Sequence, residues 1–245
     1  LSEVRPLAGR GIVVTRPREL AEGLAALIAA AGGRPVLFPA IEIADLPGWT
    51  VPLLQAGDMA VFVSPTAVQK ALGRLGSLPA GVRAAAVGAG TRRELERRGV
   101  RGVLAPAGAA DSEALLALPE LGDMAGRRVV VFRGEDGRAL LGDTLGRRGA
   151  RVEHVACYRR LRPSGDPAPL VADWPRVHAV TVSSGEGLDN LAGMLGAALL
   201  GTKPIFVPHQ RVAQQARGLG LPEVLVAGAG DAEMLERLVA YFGPQ

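Results

Sequence analysis

The chain has one cysteine, Cys157, and only three histidines among its 245 residues. A single thiol cannot form an intrachain disulfide, and so few sulfur and imidazole donors exclude a cysteine-based metal centre. Aromatic side chains are scarce too, with two Trp, two Tyr and five Phe. A surface that stacks nucleic-acid bases has little to work with. Basic residues exceed acidic ones, giving a net charge of +4 and a pI near 9.9, but they do not cluster. Their densest set, TRRELERRGVR, is interleaved with Glu94 and Glu96. The balance favours an anionic partner, and a small polyanion fits better than nucleic acid. Long apolar runs are missing; LAALIAAAGG stops at glycines well short of a bilayer span. The opening LSEVRPLAGRG lacks the apolar stretch of a signal peptide, so a soluble cytoplasmic protein without a membrane partner is expected. No Ser/His/Asp set, HExxH or P-loop occurs, and GAGTRREL falls short of the dinucleotide fingerprint.

What the chain does have is a duplication. GRGIVVTRPRELAEGLAALIAAAGGRPVLFP, at 9–39, returns as GRRVVVFRGEDGRALLGDTLGRRGARVEHVA at 126–156. AVFVSPTAVQKALGRLG, from Ala60, returns as AVTVSSGEGLDNLAGMLG from Ala179. AAVG at 85–88, with its helix and VLAPAGAADSEALLALPEL, matches IFVP at 205–208, with its helix and VLVAGAGDAEMLERLVAY. Three blocks in one order mean two copies of one unit, and a pair of like halves offers a ligand cleft. The hydrophobic fraction of 48% suffices for real cores. Short β-branched runs (GIVVT, MAVFVS, RAAAVG, RGVLAP, RRVVVF, HAVTVS, PIFVP, EVLVAG) alternate with helical stretches. That pattern predicts an α/β fold with two similar parallel-sheet domains. LFPAIEIADL and EHVACYRRL break it and are repeat equivalents, so they are expected to be extended connectors.

The turns after the strands carry the chemistry. Ligands of open α/β sheets bind beyond the carboxyl ends of the strands, where helix N-termini present free N–H groups to anions. Thr15-Arg16-Pro17, Ser64-Pro65-Thr66, the Gly-rich turn to Thr91, Arg133-Gly134, Ser183-Ser184-Gly185 and Pro208-His209-Gln210-Arg211 all occupy such places. Each also reads as ordinary capping: Ser64 before Pro65 suits an N-cap, and Thr91 with Glu94 suits a capping box. Six such turns together point to a shared anion site. Arg16 and Arg133 are repeat equivalents, able to chelate a carboxylate or to sit solvated at the surface. Arg138 and Arg211 carry the same two readings. His209 either donates to an anion or is a plain loop residue, whereas His154 and His178 flank apolar runs and read as structural. Cys157 reads as a packed thiol. Tyr158 lies in the second connector, where the other copy has Ile41. A polar residue on one side of a symmetric junction is either added chemistry or a half-buried packing tyrosine.

These residues resemble the uroporphyrinogen-III synthase family. The series is TRP at 15–17, VSPTAV at 63–68, VGAGT at 87–91, FRGEDGR at 132–138, GARVEHVACY at 149–158, VSSGEGL at 182–188 and VPHQRVAQQARGLGL at 207–221. Pro65 departs from the small residue common in bacterial members. The resemblance implies two flavodoxin-like halves joined by a two-stranded β-ladder at about 37–44 and 152–160. It places 1–40 with 161–245 in a discontinuous first domain and 45–152 in the second. It implies a cofactor-independent, cyclising hydro-lyase of tetrapyrrole (haem) biosynthesis. The substrate is then hydroxymethylbilane, a linear tetrapyrrole with many carboxylates, closed with inversion of ring D. Tyr158 matches the family's tyrosine and becomes the expected catalytic residue. Arg16, Ser64, Thr91, Arg133, Arg138, Ser183, Ser184, His209 and Arg211 become the expected substrate contacts. Transient contact with the preceding pathway enzyme is a further expectation, as is the lack of any nucleic-acid or metal partner. The alternative is a non-catalytic two-lobed sensor or binding protein for a small polyanion.

Overall fold

The computed structural model describes residues 5–107, 111–137 and 139–243. The chain begins with strand β1 (Gly11–Val14), helix α1 (Arg18–Ala30) and strand β2 (Arg34–Leu37). It continues through β3 (Glu42–Asp45), β4 (Met59–Phe62), α2 (Pro65–Leu75), β5 (Arg83–Ala86), α3 (Ala89–Arg97) and α4 (Ser112–Leu116). Next come β6 (Arg128–Gly134), α5 (Leu140–Arg147) and the long β7 (Arg151–Leu161). The remainder is α6 (Ala168–Asp173), β8 (Val177–Thr181), α7 (Gly185–Leu195), α8 (Ala197–Leu200), β9 (Ile205–Val207), α9 (Gln210–Gly218), β10 (Val224–Val226) and α10 (Asp231–Phe242).

These elements form two compact units. One combines the chain through Glu42 with everything from Leu161 on; the other is Ile43–Arg160. The first unit holds a five-stranded sheet in the order β10-β9-β8-β1-β2, with all four pairings parallel. The second holds β3-β7-β6-β4-β5, with β7, β6, β4 and β5 parallel and β3 at the edge beside β7. By the repeat, β1 corresponds to β6, β2 to β7, β8 to β4 and β9 to β5, so the two sheets share one strand order. Each unit therefore takes its first block from one copy and its later blocks from the other.

The interior strands β1 (GIVV), β4 (MAVF) and β9 (IFV) are apolar and buried at every position because both faces of each sheet are covered. In β1, Val13 faces one core with Val180, Leu188 and Val207, while Ile12 and Val14 face another with Leu24, Ile28 and Phe206. In β6, Val130 and Phe132 pack with Phe62, Leu72 and Tyr158, while Val129 and Val131 pack with Met59, Leu115 and Leu145. Phe62 and Phe132 stack with centroids 5.0 Å apart. Truncating either to alanine would cost about 3–5 kcal/mol.

Three local expectations change. Leu37 closes β2 in the first sheet, so strand pairing beside β7 begins only at Glu42. The RPVL run is a short, half-buried strand that its following apolar residues concealed. RGVLAP contributes just one bridge, Leu104 to Ala85; Gly102 and Pro106 leave too little room for a ladder. Among the described residues, no helix is long and apolar enough to cross a membrane.

Candidate active site

Parallel strands all end at one edge, and the sequence-selected turns lie along that edge of their own sheet. In the first unit, Thr15 is buried and its hydroxyl donates to the Thr181 carbonyl at 2.8 Å, while Thr181 donates to the Val13 carbonyl at 2.9 Å. These bonds stitch β1 to β8 and fix the turn that follows. Arg16 forms an ion pair with Asp231 at the start of α10 and donates to the Ala229 carbonyl at 3.1 Å. The acidic residue at a helix start also suits the positive end of α10. Ser184 caps α7, its hydroxyl accepting from Gly187 N–H at 3.1 Å, and half-buried Ser183 precedes it. Asn190 of α7 donates to the Ala40 carbonyl at 2.9 Å, holding the chain beside Ile41. His209 stands at the N-cap of α9 without a side-chain cap bond, and both it and Arg211 are exposed. That leaves the first N–H groups of α9 without a capping side chain.

In the second unit, Ser64 caps α2, with Pro65 as its first residue; Ser64 Oγ accepts from Ala67 N–H at 3.0 Å. The same Oγ lies 2.9 Å from Tyr158 Oη. Tyr158 is 3% exposed and belongs to the core cluster beneath α2. Its position follows from the end of β6. There Arg133 pairs with Ala156, the register slips, and Gly134 pairs with Tyr158. Gly134 admits the ring edge-on: a Cβ there would sit 3.1 Å from Cε2 and Cζ and 3.3 Å from Oη. Arg133 Nε donates to the Gly134 carbonyl at 3.2 Å, and its guanidinium lies over Gly137.

Thr91 is buried within the first turn of α3, which Gly88 caps. The anticipated capping box does not form, because Glu94 accepts instead from Arg97 and Arg98. A box-like bond occurs at α10, where Glu233 accepts from Gly230 N–H at 2.9 Å. Arg138 lies outside the described residues.

The remaining titratable groups have local explanations. Cys157 is fully buried, and burial pushes its thiol up to about 11, too high for a nucleophile near neutrality. His178 Nδ1 accepts from Gly11 N–H at 3.0 Å, filling the irregularity between β1 and β8. His154 rests an edge on Gly142 of α5, and partial burial, reinforced by Arg133, lowers its pKa. Among the described residues, no group of three or more His, Cys, Asp and Glu is placed to hold a metal ion.

Sequence reasoning missed three features. The Ser64–Tyr158 contact spans 94 positions and has no local signature. Asp231, the partner of Arg16, was readable only as another helix-start acid. Arg159, next along β7, is half-buried, and its Nε is buried with no hydrogen-bond partner among the described residues.

The family described as uroporphyrinogen-III synthase HemD matches residues 22–235. The chain belongs to the uroporphyrinogen-III synthase family. The uroporphyrinogen-III synthase of Salmonella typhimurium is 34% identical over 242 residues, covering 92% of this chain and 98% of that protein. Two solved structures share the fold. One, a mutant uroporphyrinogen III synthase from Thermus thermophilus, is 22% identical with a TM-score of 0.55, covering 94% of this chain and 97% of that one. The other, uroporphyrinogen-III synthetase from Helicobacter pylori, is 13% identical with a TM-score of 0.62, covering 95% and 99%. Membership in uroporphyrinogen-III synthase makes this an enzyme family with two α/β halves, and it disfavours the passive-sensor reading.

Proposed function

We propose that this protein converts hydroxymethylbilane to uroporphyrinogen III by loss of water, ring closure and inversion of ring D. The observation that carries the reading is the family match across 22–235. The hydrogen-bonding contact of Tyr158 with the Ser64 cap supports a proton-donor role for the phenol. Tyr158 Oη gives a proton to the departing hydroxyl, the C–O bond breaks, and water leaves. The cation so formed is attacked by the ring D α-carbon, giving a spiro intermediate that opens and recloses with the ring turned over. Loss of the α-carbon proton restores the pyrrole and repays the proton to Tyr158, so the net change is one water lost. No nucleophilic side chain enters this scheme.

Binding is distributed in this proposal. Ser183, Ser184, His209, Arg211, Thr91, Arg133 and Arg138 supply donors or positive charge to substrate carboxylates. Backbone N–H groups at the start of α9 and α3 add to them. Arg16 joins that set only by sharing its guanidinium with Asp231. The uncatalysed closure gives the uninverted isomer, so the enzyme's task is to hold the chain ends in one geometry. No cofactor takes part.

The deciding experiment mixes purified protein with hydroxymethylbilane and separates the uroporphyrinogen isomers. Accumulation of the type III isomer is expected. The uninverted isomer alone, at the spontaneous rate, would overturn the proposal.

A further inference from the structure

We infer that Ser64 is a positioning residue that fixes which way the Tyr158 hydroxyl hydrogen points; this rests on the reading of Tyr158 as proton donor. A serine hydroxyl has one hydrogen to give and two lone pairs. One lone pair of Ser64 Oγ is occupied by Ala67 N–H at 3.0 Å. The other polar contact of Oγ is Tyr158 Oη at 2.9 Å. Were the phenol to donate, its hydrogen would be buried in the helix cap and Ser64's own hydrogen would need another acceptor. With Ser64 donating, its hydrogen and the cap lone pair are both engaged, and the phenol hydrogen alone is left for the substrate. Accepting from Ala67 also polarises the serine O–H and makes it a better donor.

The duplication supplies an internal comparison. Ser184 caps α7 as Ser64 caps α2, with Gly187 N–H in the place of Ala67 N–H. The repeat counterpart of Tyr158, Ile41, also lies against that cap: a Cβ on Gly187 would sit 3.2 Å from Ser184 Oγ and 3.7 Å from Ile41 Cδ1. The cap is thus complete with an apolar neighbour, and helix stability does not require the phenol. What the second unit adds is a hydroxyl held against the phenol. When Tyr158 gives its proton to the leaving hydroxyl, the negative charge left on Oη meets the Ser64 O–H, behind which stands the positive end of α2. The proton lost from the ring α-carbon then returns to Oη along the side facing away from Ser64.

Capping and positioning separate by choice of variant. Glycine at an N-cap costs the helix little relative to serine yet has no hydroxyl, whereas threonine keeps both cap and donor. Ser64→Gly, Ser64→Thr, Tyr158→Phe and the Ser64→Gly/Tyr158→Phe double variant are compared by steady-state kinetics on hydroxymethylbilane and by thermal unfolding. Ser64→Gly is expected to melt near wild type and to lose about tenfold in kcat, the scale of a hydrogen bond to a charged group, with KM little changed. Ser64→Thr is expected to restore kcat, and the double variant to be no slower than Tyr158→Phe alone. Wild-type kcat in Ser64→Gly beside a slow Tyr158→Phe would overturn the positioning role while leaving the donor standing, as would independent losses multiplying in the double variant. Wild-type kcat in Tyr158→Phe would remove the donor itself.

Discussion

Tyr158 and Arg159 are consecutive on β7, and each raises a question that packing does not answer. Tyr158 is buried in an apolar cluster, where phenylalanine would fit as well for stability apart from one hydrogen bond. Tyr158→Phe is therefore expected to fold normally and to lower kcat by about a hundredfold, the low end for general acid catalysis, with little change in KM. Steady-state kinetics with isomer analysis of the product measures it. Among the described residues, Arg159 presents a buried Nε without a hydrogen-bond partner, in contrast to Arg128, which pairs with Asp58 at 2.8 Å and Glu153 at 2.7 Å. A buried guanidinium nitrogen left without a hydrogen-bond partner does not stabilise a fold. Arg159→Met keeps the apolar stem; it is expected to melt no lower than wild type and to raise KM several-fold, by loss of a carboxylate contact. Of these two residues only Tyr158 was legible in the sequence, because its repeat counterpart is apolar Ile41. Arg159 looked like any surface arginine, since burial of one nitrogen is a property of packing. The Thr91–Glu94 spacing misled for a related reason: Gly88 starts α3 three residues earlier, and nearby arginines take the carboxylate.

At the scale of elements, the junction of β6 and β7 sets the site. Gly134 stands where the register slips and where the Tyr158 ring needs space. Gly134→Ala would displace the ring by a few tenths of an ångström; it is expected to reduce kcat markedly while leaving β6 paired, a result that kinetics together with far-UV circular dichroism would show. Gly142, on α5, gives a different outcome. Its missing Cβ accommodates the edge of His154, and partial burial holds that imidazole below its ordinary value of 6.5. Well above pH 6.5 the ring is neutral in both folded and unfolded chains and adds nothing to the pH dependence. As pH falls through 6.5 the unfolded chain takes the proton first, so stability declines until folded His154 is protonated too. His154→Gln should flatten this part of the stability profile, as measured by denaturant midpoints from pH 5 upward. The alternation of strand and helix was plain from the apolar runs, because strands covered on both faces are mostly apolar. The edges were not. RPVL is half-exposed and runs into FPAIEI, so pattern alone could not say that one strand stops at Leu37 and another, in a different sheet, starts at Glu42.

For the whole molecule, the basic balance and the spread of donors over several turns make a prediction about salt. Binding that depends on many exposed charges weakens as ionic strength rises, whereas a buried proton donor is screened little. Raising sodium chloride is expected to increase KM progressively and to leave kcat nearly unchanged. Single alanine replacements at Ser184, His209 and Arg211 should each be modest by the same argument. The exchange of blocks between the two copies has a consequence for biosynthesis. The unit spanning Ile43–Arg160 is continuous, so its β-sheet can close as soon as that stretch has left the ribosome. The opening β1-α1-β2 segment cannot do the same, because β8, β9 and β10, which complete its sheet, are translated only after Arg160. That early segment spends most of translation with the flank of β1 that will meet β8 uncovered, a long-range closure that is slow and exposed to misassociation. A nascent chain stalled shortly after Arg160 should thus protect its middle against protease while its amino-terminal end is still cut.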